Sequence, residues 1–180
     1  HNTEAHRQIQ SQILSAKRGD AATRRYMTPK KKSVPSDFET FKLQWMLHCV
    51  WKKCEGNADF RKLLLSLPSD IILVENTTTD NGGSAGCWGC KNKKLVDERK
   101  VVEKQLREQY KGLSKKEIDY LVNIETNKID DIGEWSGQNN IGKILMICKH
   151  CLEDGSLPDI DYDILNSSRI YILGDLLTMD

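Results

Sequence analysis

Apolar residues recur at helical spacing through most of the chain and alternate at strand spacing in few places. From Glu4 to Ala16 the positions Ile9, Ile13 and Leu14 form a sparse stripe, which predicts a helix, and Asp20 is placed to cap a short second one through Tyr26. Residues 28 to 35, with Lys30-Lys31-Lys32 and two prolines, read as a loop. Ser36 or Asp37 then caps a longer helix in which Phe38, Phe41, Leu43, Trp45, Leu47, Val50 and Trp51 form a broad apolar face. Asn57 starts a shorter helix through Leu65, and Pro68 with Ser69-Asp70 ends it. Ile71-Ile72-Leu73-Val74 is the strongest strand signal in the chain. The next residues, NTTTDNGGSAGC, have the Gly, Asn and Asp content of a loop with unusual dihedrals.

Residues 91–133 differ in kind from their flanks. A sparse stripe of Leu95, Val102, Leu106 and Tyr110 runs through alternating charge, with Gly112 as the expected C-cap. Ser114 to Glu117 is a capping-box signature that opens a second helix, with Ile118, Tyr120, Leu121 and Ile124 as its apolar face. This segment reads as a helical hairpin. After it, Ile144-Leu145-Met146-Ile147 lies in a further helix that Gly155 and Pro158 terminate. Arg169 to Leu173 reads as an edge strand, and Leu176-Leu177 as a last turn.

Composition sets the class. The 180 residues suit one domain able to bury a core without staples, and 38% hydrophobic with 29% charged residues is the balance of a globular chain. A net charge of +1 gives no global reason to expect nucleic acid or membrane binding. No apolar run approaches the ~20 residues of a membrane span, and HNTEAHRQIQ has no leader pattern, so the expectation is a cytoplasmic protein away from membranes. The six cysteines fall in pairs, Cys49 with Cys54, Cys87 with Cys90 and Cys148 with Cys151. Two CxxC pairs invite a zinc site, yet Cys148 and Cys151 sit in an apolar helical run, where an i, i+3 pair more often packs a core. The expectation is reduced thiols and no metal.

Two stretches carry candidate chemistry: LLLSLPSDIILVENTTTDNGGSAGCWGC (63–90) and EWSGQNNIGKILMICKHCLED (134–154). Asp80 lies in the Gly-rich loop ahead of Trp88, where a carboxylate could activate water or steady positive charge on a sugar, and an aromatic face could stack on a base. An Asx-turn residue and a core tryptophan are the plainer assignments. Asn139 and Asn140 before Gly142 are placed to cap a helix whose N-terminus suits a phosphate.

Together with Phe38-Glu39, Leu63 to Leu65, Leu73-Val74-Glu75, Asp80, Trp88-Gly89, Gly137-Gln138-Asn139-x-x-Gly142 and Ile144-Leu145-Met146, the chain resembles the YbiA-like, or NADAR, family of N-glycosidases. The resemblance covers roughly residues 12 to 90 and 134 to 154. It implies an α+β fold, a helix-rich single domain over 1–180 with a small sheet, carrying 91–133 as an inserted hairpin and 155–180 as a C-terminal extension. It also implies hydrolysis of the N-glycosidic bond of a phosphoribosyl or ADP-ribosyl nucleobase compound, such as a riboflavin-pathway intermediate or ADP-ribosylated guanine. The partner is then a small molecule, or ADP-ribosylated nucleic acid, and no cofactor is implied. Glu4, Asp80 and Trp88 would be the catalytic residues, with Gly89, Gln138, Asn139 and Gly142 holding substrate.

Departures from the family are specific. Residues 1–10 lack its Ser-Asn-Phe strand; Glu4, Gln8 and Gln10 reproduce its Glu-to-Gln spacing, but an ungapped register through Ala21-Ala22 would make residues 4–16 the next helix and leave the glutamate absent. Gln138 stands for the expected Lys, and Cys90-Lys91 for an acidic position. A non-catalytic ADP-ribose or nucleotide-binding module and a zinc-stabilised interaction domain are the rival classes.

Overall fold

The computed structural model describes residues 3–15, 36–77, 87–129 and 134–179. The expected short helix after Asp20 lies outside them. In chain order the elements are α1 (Glu4–Leu14), α2 (Phe38–Gly56), α3 (Ala58–Ser66), β1 (Lys91–Asn92), α4 (Lys93–Gln109), α5 (Lys115–Thr126), β2 (Trp135–Ser136), α6 (Asn140–Asp154), α7 (Tyr162–Ser167), β3 (Tyr171–Ile172) and β4 (Asp175–Leu176). The architecture is helix-rich α+β, with two-stranded antiparallel sheets β1-β2 and β3-β4.

The chain divides into two compact units, 1–57 with 157–180, and 58–156. The helix opened by Phe38-Glu39 lies in the first unit, and the segments 63–77, 87–90 and 134–154 lie in the second. The buried face of α2 is Phe41, Leu47, His48, Trp51 and Cys54, and α2 packs with α7 from the C-terminal segment. That segment contributes buried Ile160, Leu165 and Met179 to the first unit.

In the first unit Thr3 caps α1, which buries no residue completely and leaves Leu14 exposed. Asp161 caps α7 by accepting the Ile164 N–H at 2.9 Å, and Leu165 is fully buried. Tyr171 pairs with Leu176 and Ile172 with Asp175 in a hairpin whose two turn residues, Leu173 (φ 53°) and Gly174 (φ 106°), both sit at positive φ. Such a turn matches the right-handed twist of the strands it joins, and glycine bears one of its two unusual positions without strain. The edge strand expected over 169–173 is thus cut to two residues, and Leu176, expected in a last turn, is the second residue of β4.

In the second unit α3 packs on α6. The 91–133 segment contains the expected helical pair, α4 packed on α5, with Ile118 and Val122 almost wholly buried. The capping box forms in full: Ser114 Oγ accepts the Glu117 N–H, and the Glu117 carboxylate accepts the Ser114 N–H at 2.8 Å. The helix end is different from the expectation, because α4 terminates at Tyr110, whose N–H bonds to Leu106 O, and Gly112 does not enter the left-handed region. At the root of the hairpin, β1 and β2 pair Lys91 with Ser136 and Asn92 with Trp135. Fully buried Asn92 then caps α4 by accepting the Leu95 N–H at 3.1 Å.

Buried His48 on α2 stacks on Trp45 (5.8 Å between ring centres, 17° between planes) and meets the edge of Tyr162 on α7 (6.0 Å, 87°). Its Nδ1 has no hydrogen-bond partner, and burial, aided by the Lys52 charge and opposed by Glu55, holds the imidazole below the ordinary histidine pKa. The unfolded chain then binds the proton more readily than the folded one, so stability contributed by neutral His48 is present above about pH 6.5 and lost as pH falls below it. Urea denaturation midpoints measured at about pH 7.5 and pH 5 should show this slope. His48→Phe, which keeps a ring between Trp45 and Tyr162, should flatten it; an unchanged slope would place the titration elsewhere.

Candidate functional site

The second unit brings three distant segments, 73–77, 87–92 and 135–142, into one hydrogen-bonded knot. Cys90 N–H donates to Glu75 O and Thr77 N–H to Cys90 O, both at 2.9 Å, a parallel bridge across Asn76. The Thr77 hydroxyl also donates to Cys90 O at 3.0 Å. In a parallel ladder the partner two residues back, Trp88, should bridge Leu73 O and Glu75 N across Val74. The chain turns at Cys87-Trp88 instead, and the Asn139 carboxamide supplies both bonds: Nδ2 donates to Leu73 O at 2.8 Å, and Oδ1 accepts from Glu75 N at 3.0 Å. One side chain stands in for one residue of a missing strand.

This corrects the strand expected over 71–74. Those residues join no sheet among the described residues, Ile72 is exposed, and the stretch is held by the bridge at Asn76 together with the Asn139 clamp. The β-branched run encodes an extended segment, but its pairing partner is a carboxamide.

Asn139 takes φ 51°, the left-handed conformation that asparagine tolerates better than most residues. It is the N-cap residue of α6, as expected, but its side chain makes no capping bond. The helix start is closed from the other side. Asn139, Asn140 and Ile141 donate their N–H groups to the carbonyls of Gly89 (3.2 Å), Cys87 (3.3 Å) and Trp88 (3.0 Å). Three donors at the expected phosphate seat are therefore already bonded to main-chain carbonyls.

Close approach explains both glycines. A Cβ at Gly142 would lie 2.1 Å from Leu73 O and 2.5 Å from Asn139 Nδ2, and one at Gly89 would lie 2.5 Å from Glu75 O. None of these distances is tolerable, so Gly89 and Gly142 permit the knot to close.

The remaining site residues are placed as follows. Trp88 is half-buried within the turn, and exposed Gln138 accepts from Asn140 Nδ2 through Oε1 at 3.0 Å. Asp80 lies outside the described residues. Glu4 belongs to the first unit, whereas Trp88, Gly89, Gln138, Asn139 and Gly142 belong to the second. Its exposed carboxylate accepts from Arg7 Nη2 at 2.8 Å and Gln8 Nε2 at 3.2 Å. These bonds, Arg7 foremost, hold its pKa below the ordinary carboxylate value, which favours an ionised group over a general acid.

Half-buried Cys87 accepts from Asn140 Nδ2 at 3.6 Å, and Cys90, Cys148 and Cys151 are buried. In the first unit Cys54 is buried, and burial pushes the Cys49 thiol up. Among the described residues no group of three or more His, Cys, Asp or Glu side chains is placed to hold a metal, and no helix is long and apolar enough to cross a membrane. Comparison of the chain with known protein families, curated proteins and solved structures finds no match.

Sequence reading found Asn139 and both glycines but not what they do. It missed Lys149, buried on α6, whose ammonium pairs with Glu153 one turn on, while Ser69 Oγ donates to the same carboxylate at 2.9 Å. That set ties the C-terminal half of α6 to the turn after α3. A lysine on the apolar face of a helix with Glu four residues later was the available signal.

Gly142→Ala should cost about 1–3 kcal/mol or more through overpacking against the Leu73 carbonyl, read as a fall in denaturation midpoint. Asn139→Asp should destabilise at neutral pH, where an ionised carboxylate cannot donate to Leu73 O. It should recover relative to wild type as pH falls and the carboxylic acid O–H replaces the lost donor. Recovery absent down to the onset of acid unfolding would rule out the clamp as the source of the loss.

Proposed function

We propose that this chain is a NADAR-like N-glycosidase that hydrolyses the bond between ribose and a nucleobase-type leaving group in a phosphoribosyl or ADP-ribosyl compound. The observation that supports the reading is convergence: Glu75, Trp88-Gly89, Asn139 and Gly142, which belong to motifs up to 67 positions apart, close on one knot through specific bonds and two glycine contacts. Residues that share no local reason to meet are meeting at the segments that carry the resemblance.

Within this reading the roles divide differently from the motif alone. Gly89, Asn139 and Gly142 hold the frame, and the groups left to meet a ligand are Trp88 and Gln138. Asp80, which stands between Thr77 and Cys87 in the sequence, is the carboxylate that would orient water or steady the oxocarbenium-like sugar. The bond from the anomeric carbon to the base nitrogen breaks, water supplies the new C–O bond, and the base departs with a proton.

Release of free base from phosphoribosyl-pyrimidine and ADP-ribosyl-guanine substrates tests the proposal. Asp80→Asn should lower the rate by roughly 10²–10⁴-fold, while Trp88→Ala should chiefly raise KM. Wild-type protein that binds ADP-ribose without releasing base would make it a binding module.

A further inference from the structure

The whole chain carries a net charge of +1, yet residues 91–116 hold ten basic side chains, eight Lys and two Arg, against four acidic ones. On α4 six basic side chains face four acidic ones, and Lys91 before it, Lys111 in the turn after it and Lys115 and Lys116 at the start of α5 add the rest of the excess. Lys93, Lys100 and Lys104 are exposed and spaced by seven and then four residues, which places them within about 40° of one another around the helix and along ~16 Å of its axis. Lys111, Lys115 and Lys116 continue the exposed basic surface past the helix end. Lys93, Lys104, Lys111, Lys115 and Lys116 have no carboxylate partner among the described residues, and Lys100 is held only by a solvated 3.6 Å pair with Asp97. Lys100, Lys104 and Arg107, with Glu103 and Glu108, line a shallow hollow of about 370 Å³.

The opposite face of α4 is used up. Leu95 is buried, Val102 and Leu106 are half-buried, and α4 packs on α5, so the lysine face has no apolar stripe beneath it to enter a lipid surface. A line of solvated ammonium groups with the helix's main apolar stripe turned inward suits a polyanion whose charges are closely and regularly spaced. Arg107 is tied to Glu103 at the edge of the hollow, a pair that a phosphate can replace.

We propose that the exposed face of α4 and the following turn bind the phosphate backbone of a nucleic acid. Binding of this kind is independent of base sequence and weakens steeply with salt, because each neutralised phosphate releases counterions. The surface is distinct from the knot and does not depend on the hydrolase proposal. Its root, however, is the β1-β2 pair, so bound backbone is carried by the element that adjoins Gly89 and Gly137 in sequence.

Binding of a fluorescein-labelled single-stranded DNA, followed by anisotropy over a salt series, tests the idea. Wild-type protein should bind at low salt with a steep log–log salt slope. The double variant Lys100→Glu, Lys104→Glu should bind roughly tenfold or more weakly, with a slope reduced by about 0.7 for each phosphate no longer neutralised. Lys62→Glu with Lys128→Glu, an equal charge change on exposed sites elsewhere, should leave binding near wild type. Thermal melts by circular dichroism establish that each variant is folded, and Lys100→Gln with Lys104→Gln replaces the reversal pair if that fails. Equal weakening by both double variants, no wild-type binding at low salt, or binding to phosphatidylserine vesicles without binding to DNA would overturn the proposal. Turnover of a small ribosylated substrate by the Lys100/Lys104 variant would keep the two proposals apart.

Discussion

The Asn139 carboxamide is the interaction on which the second unit turns. By bonding Leu73 O and Glu75 N it occupies the place that Trp88 would take in a parallel pair, and so releases residues 87–89 to turn. The released carbonyls of Cys87, Trp88 and Gly89 then receive the first donors of α6. Had residue 88 stayed in register with Val74, those donors would need other acceptors, and the helix start would have no fixed place. Neutral hydrogen bonds contribute only about 0.5–1.5 kcal/mol each, but these are mutually dependent, and the value lies in the single geometry they allow.

The same device recurs in the first unit. Gln10 Nε2 donates to Tyr171 O at 3.0 Å and its Oε1 accepts from Leu173 N at 2.7 Å, fastening α1 to the β3-β4 hairpin. Asn166 exchanges both bonds with Met179, each at 2.9 Å, and holds buried Met179 against α7. A carboxamide presents a donor and an acceptor side by side, as a peptide group does. A chain with so few sheet residues can therefore satisfy extended backbone one residue at a time, without building a strand for each.

This explains which parts of the structure were legible in the sequence. Helices whose signals are local came through: the Ser114-Glu117 capping box, the end of α6 at Gly155, the start of α3 after Asn57. Strand status is not local, because it depends on whether a partner arrives. Ile71 to Val74 has every local feature of a strand, and a carboxamide from 65 residues beyond Val74 decides otherwise. The two-unit division was hidden for a similar reason, since α2 finds the partner of its buried face in α7, more than a hundred residues later. Of the site residues, glycines were informative as places where something must come close, but only the fold names what: the Leu73 and Glu75 carbonyls.

Motif matching assigns function to residues by position, and here three of those positions are occupied by structural work. Asn139, Gly89 and Gly142 all sit where a ligand-binding motif would place substrate contacts, yet Asn139 is bonded to main-chain neighbours at 2.8–3.2 Å, and main-chain carbonyls leave no room for a Cβ at either glycine. Loss of activity on changing any of them would report collapse of the knot as readily as loss of substrate binding. The discriminating positions are those the frame does not need. Exposed Gln138 makes only a local bond to Asn140, and the Trp88 backbone is bonded through its carbonyl while its half-buried ring is not required by the clamp. A ligand that belongs to this site should therefore be sensed first at those two side chains.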